Sequence, residues 1–257
     1  MKKMFMAAGM AAVMTACGTA GQKAATDAGN SFLAEYSTPF GVPPFDLIKV
    51  EHYKEAFLKG MEEQKKEIDA IVNQRSVPDF DNTIAAFDQS GELLNKVSTV
   101  FSGLNSCNTN DEMQAFNKEI TPLLSAHRDD ISLNPALFAR VKEVYERREK
   151  LGLDKEQNKL LEETYKKFVR GGANLDSVDQ AKLRQLNSEI SMLQLTFGQN
   201  LLKETNAFEL VIDKKEDLAG LPESLVASAA EAAKGAGMEE KWQVWKRSGF
   251  SLCTIRV

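Results

Sequence analysis

From Tyr53 to Leu201 large apolar residues return every three or four positions, and few helix breakers interrupt them. That spacing puts them on one face of a helix, so the chain must fold as helices that bury stripes against one another. With 7 Pro and 16 Gly in 257 residues, long helices are permitted. The expected fold class is mostly α: helical hairpins, with one short strand near Phe208–Ile212 (FELVI).

The first helix is expected from about Val50 to Asn73, with Tyr53, Phe57, Met61, Ile68 and Ile71 on its inner face. Before it, Pro39, Pro43 and Pro44 keep the chain extended, and Phe40 and Phe45 are expected to dock on the core. Phe80, Ile84, Phe87, Leu94, Val97, Phe101 and Leu104 predict a second helix with Gly91 inside it, where another helix could pack closely. Thr109-Asn-Asp-Glu112 reads as a capping box, opening a helix that Pro122 should kink or break. Asn134-Pro135 and Asp154 read as helix starts and Gly171-Gly172 as a stop. A second capping box, Ser177-Val-Asp-Gln180, begins the longest helix, with Leu183, Leu186, Ile190, Leu193, Phe197 and Leu201 in its stripe. A last helix is expected over Ser224–Lys234.

Residues 1–16 read as an address. Lys2 and Lys3 precede a short apolar run, Met4 to Val13, and Met14-Thr-Ala-Cys17 has the small residues of a lipoprotein cleavage site. The run is too short to span a bilayer as a helix. Cleavage before Cys17 and acylation of its thiol would anchor the chain to a membrane, giving an exported lipoprotein of the cell envelope, on the periplasmic side or outer membrane. Residues 17–37 are expected as the lipidated cysteine and a flexible tether, and 38–240 as the folded region.

Chemistry is scarce. The net charge of −5 gives no clustered basic surface for phosphates, so no nucleic-acid partner is expected. The chain has 2 His, His52 and His127, and neither stands in an HExxH pattern. Both read as structural. Cys107, near a helix end with no neighbouring His, reads as a buried or half-buried structural thiol. No GxSxG, P-loop or GxGxxG is present, and Arg170-Gly-Gly-Ala-Asn174 reads as a helix end and turn. Hence no catalytic, cofactor-binding or metal-binding residue is assigned, and Cys17 is the one modification site.

A series of phrases in fixed order resembles the thimet oligopeptidase family of zinc metallopeptidases, and within it the bacterial peptidyl-dipeptidases. The phrases are Pro39–Ile71, Asp81-Asn-Thr-Ile84 with Ser90-Gly-Glu-Leu-Leu94, Phe101–Ser106, Ala126–Ile131, Asn134–Phe138, Phe168–Ala173 and Phe197-Gly-Gln-Asn200. The resemblance runs from Thr38 to Trp242. It implies the N-terminal part of a clam-shaped, helical fold whose intact members bind zinc and cleave oligopeptides. The implied zinc ligands and catalytic groups lie C-terminal to the matched region, so none is carried onto this sequence and no cofactor is expected in this chain. The half matched here would wall one side of the substrate channel.

Residues 241–257 contain Lys241, Lys246, Arg247 and Arg256 and no acidic residue, and hold both Trp. They read as an aberrant or truncated tail. The expectation is therefore an N-terminal metallopeptidase fragment, inactive alone. The alternative is a stand-alone helical lipoprotein that binds peptides or a partner. In the fragment reading, stripes such as Phe80, Ile84, Phe87, Leu94 and Phe101 lose part of their cover.

Overall fold

The computed structural model describes residues 29–238 and 240–245. The elements are α1 (Val50–Val72), a π-helical turn (Phe80–Ala85) running into α2 (Ala86–Gln89), α3 (Glu92–Cys107), α4 (Asp111–Ser132), α5 (Pro135–Glu146), α6 (Lys155–Arg170), α7 (Ser177–Ala207), β1 (Glu209–Ile212), α8 (Glu223–Gly235) and β2 (Trp242–Trp245). The expected mostly helical class is what the chain adopts. The tails 1–28 and 246–257, and with them Cys17, lie outside the described residues.

α1 is the spine. Its N-terminal half packs on α3 and α4 around Tyr53, Phe57, Phe101, Phe116 and Ile120. The rings interlock edge to face, Tyr53 with Phe101 at 5.0 Å and Phe101 with Phe116 at 5.3 Å between centroids, which suits the aromatic quadrupole. The Tyr53 hydroxyl is buried without a hydrogen-bond partner. Burial, with Tyr36 nearby, pushes that phenol up to about 12. The C-terminal half of α1 enters a second core with the π turn, α5 and α6, built from Ile68, Ile71, Ile84, Leu137, Val141 and Leu161.

The segment before α1 differs from its expectation. Phe40 is fully exposed and Phe45 half-exposed, because Phe40 takes a left-handed φ of 59° in the turn at Pro39, aiming it at solvent. The ring that docks is Phe32. Lys96 on α3 holds this strap, donating to Phe32 O at 3.2 Å and Ala34 O at 2.9 Å, with its ammonium over the Tyr36 ring. Asn30 donates to His52 O at 2.8 Å. The stretch expected as a tether is thus packed from Asn30 onward.

Three helix-level expectations also change. Gly91 does not lie inside a helix. It is the left-handed N-cap of α3, φ 78°, where its N–H donates to Glu67 Oε2 at 2.7 Å. The caps of α4 and α7 sit one residue off the expected boxes: Asn110 accepts from Met113 N–H, and Asp176 from Val178 and Asp179 N–H. Asx side chains compete well with Ser and Thr for that role. Pro122 does not end α4, which runs through to Ser132. Buried Phe116 and Ile120 before it and Ser125 and Asp129 after it hold both halves down.

β1 and β2 pair antiparallel, Glu209 opposite Trp245 and Ile212 opposite Trp242. The boundary drawn at residue 241 therefore separates two strands of one ladder. No helix among the described residues is long and apolar enough to cross a membrane.

Candidate functional site

Two features of the surface lack a purely structural explanation: a cleft beside α1 and the outer face of α7.

The cleft opens where the two cores meet, has a volume of about 500 Å³, and draws Gln64 from α1, Leu94 from α3, His127 and Arg128 from α4, and Lys167 and Phe168 from α6. Gln64 organises it. Its Oε1 accepts from His127 Nε2 at 2.7 Å, and its amide nitrogen reaches Ser90 O at 3.4 Å in the α2–α3 turn. Burial lowers the His127 pKa, with Asp130 opposing and Lys65 reinforcing that shift. No acidic residue lines the cleft, and Arg128 and Lys167 stand at its rim. Among the described residues no hydrogen bond joins His127 to a serine or a carboxylate, so no nucleophile and base are paired there.

His52, the other histidine, accepts from Lys49 N–H at 3.3 Å through Nδ1 and so caps α1. Each histidine thus makes one hydrogen bond within the fold, His52 at the start of α1 and His127 to Gln64 in the cleft. Cys107, expected to be at least half-buried, is exposed as the last residue of α3, where the helix end leaves nothing to cover it. Among the described residues no three His, Cys, Asp or Glu side chains gather closely enough to hold a metal.

The stripe Phe80, Ile84, Phe87, Leu94, Phe101 is covered within the chain: Ile84 and Phe101 are buried and the other three pack against the cores. The uncovered stripe belongs to α7. That helix has 31 residues and none is buried, and Leu193 and Phe197 are 67% and 69% exposed. α7 is held to α4 by polar contacts instead. Arg184 pairs with Asp130 at 2.8 Å, Asn187 donates to buried Asp129 at 2.7 Å, and Gln199 donates to Gln114 at 2.8 Å. The sequence reading missed both the Gln64–His127 pair and this polar seam, since neither follows from apolar periodicity.

No family model matches the chain. Over 215 residues, 84% of its length, it is 43% identical to the dipeptidyl carboxypeptidase of Escherichia coli strain K12, and over 213 residues 42% identical to that of Salmonella typhimurium strain LT2. It is 27% identical over 201 residues to the oligopeptidase A of Haemophilus influenzae. The chain spans about a third of the length of these relatives, 32% of the first. Helical fold and homologues together define the class: this chain is homologous to the N-terminal region of the thimet oligopeptidase family of peptidases. Within the family, identity is higher to dipeptidyl carboxypeptidase than to oligopeptidase A.

Proposed function

We propose that this chain is the N-terminal structural part of a secreted zinc metallopeptidase that removes dipeptides from peptide C-termini, and that it is inactive by itself. The carrying observation is the 43% identity to a dipeptidyl carboxypeptidase across 215 residues. Inactivity is supported by the sequence, which has 2 His and no HExxH, whereas a catalytic zinc needs three protein ligands and an open position. The family's zinc would supply an activated water, and no residue described here is assigned a role in that step. The contribution of this chain would be to bind, orient and enclose peptide on one side. The leader supports export and lipid anchoring through Cys17, which would place the protein in the cell envelope.

The test is to incubate the purified chain with zinc and short blocked peptides. No chelator-sensitive release of C-terminal dipeptides above a mock purification is expected. Such release would overturn the assignment.

The cleft favours a second reading, a helical lipoprotein that binds peptides without cleaving them, because apolar walls and a cationic rim suit a peptide C-terminus. Saturable calorimetric binding of short peptides to the full chain, lost in Arg128→Ala with Lys167→Ala, would support it.

A further inference from the structure

We propose that the bare face of α7, formed by Leu186, Ile190, Leu193, Phe197 and Leu201, is the seam on which the remaining two-thirds of a dipeptidyl carboxypeptidase-length polypeptide docks. The inference rests on the family reading above and adds a surface and an occupant to it.

These five residues follow one another at intervals of four, three, four and four, the spacing that offers knobs to a partner helix. They are the longest run of exposed large apolar side chains on any helix described here, about 22 Å of helix at 1.5 Å per residue. The side of α7 that faces α4 is already occupied by Arg184, Asn187 and Gln199 and their partners. Both cores of the chain are closed around α1 without α7. The stripe therefore has no role in covering either core. A stripe of this size in water is a mark of an interface.

The length of the relatives selects the occupant. They are about three times as long as the matched chain, which spans 32% of one and 31% of another, so most of the polypeptide of each lies outside the matched region. A covalently continuous partner can be held by a short stripe, because tethering supplies millimolar effective concentration, whereas separate chains need roughly 1,200–2,000 Å² of buried surface for a stable association.

The experiment uses the full chain, alone and fused at its C-terminus to the polypeptide that follows the matched stretch in the Escherichia coli dipeptidyl carboxypeptidase. In both proteins the native cysteines are replaced by serine and Leu193→Cys is introduced. Maleimide labelling of that thiol is expected to run at the rate of a free thiol in the chain alone, and at least about 100-fold slower in the fusion, since a packed seam opens rarely. Leu193→Asp with Phe197→Asp, in the otherwise native sequences, should lower the melting temperature of the fusion by several degrees and leave that of the chain alone unchanged. Equal labelling in the two proteins overturns the proposal. So does protection in the chain alone together with a dimer in sedimentation, which would assign the stripe to a second copy. Peptidase activity of the fusion is read separately: a protected thiol without activity leaves the seam standing and counts against the functional assignment, whereas activity with a fully reactive thiol does the reverse.

Discussion

Gly60 on α1 lies so close to Leu94 on α3 that a Cβ at Gly60 would sit 2.9 Å from both the Leu94 Cα and its backbone nitrogen. Backbone cannot swing aside as a flexible side chain can, so the two helices must separate to admit a methyl group. Replacing Gly by Ala in a helix gains about 1 kcal/mol of propensity, while overpacking a fitted interface costs about 1–3 kcal/mol. Gly60→Ala is expected to lose about 0–2 kcal/mol net, lowering Tm by up to a few degrees. A raised Tm in calorimetry would show that α1 and α3 are not in backbone contact.

Gly91 meets a different constraint. Its φ of 78° suits glycine, and a side chain there would run into the Gln64 amide. Gly91→Ala should cost about 1–2 kcal/mol from the left-handed backbone, and it should also push Gln64 off His127. The His127 ring resonances are the readout: they should shift in the variant. Unchanged resonances with lowered stability would mean that Gln64 is not the link.

His127 sets a pH dependence. Its folded-state pKa lies below the ordinary 6.5 because burial disfavours the imidazolium. The fold then binds fewer protons than the unfolded chain, so this contribution to stability is full above about pH 6.5 and drains as pH falls below it. Denaturant midpoints taken from pH 8 to pH 5 should fall more steeply for the native chain than for His127→Gln. The difference should be modest, since the ring is only half-buried. Parallel slopes would assign the acid sensitivity to carboxylates instead.

The leader predicts an anchor. Cys17→Ala should move the protein from the membrane fraction to the soluble periplasmic fraction, because two or three acyl chains hold a protein stably and none does not. Mass spectrometry of the native protein should show a mature N-terminus at Cys17 with a lipid increment. An intact leader, or a mature chain without lipid, would contradict this.

Most of the helical plan was legible. Periodicity located α1, α5, α6 and α7 to within a few residues, and Asn134 and Asp154 cap α5 and α6 as their types require. The misreadings share a cause: a stripe reports that a face is apolar but not what will cover it. Phe101 and Leu201 look alike in sequence, yet one is buried under Tyr53 and the other is bare. Long-range polar pairs carry no local signal either. Arg140 is buried on α5 and donates to Asn82 Oδ1 at 2.9 Å and to Gln74 O at 3.3 Å, tying down the loop after α1 across some sixty residues. Gly60 stands unremarkable in Leu-Lys-Gly-Met until α3 is laid against it.

The proposal that this chain is the structural N-terminal part of a dipeptide-releasing metallopeptidase is tested most directly by the peptidase assay on the fusion with the Escherichia coli continuation, compared with the chain alone and the continuation alone. The account predicts chelator-sensitive release of C-terminal dipeptides from the fusion and none from either part. A folded fusion that melts cooperatively and releases no dipeptide would contradict it.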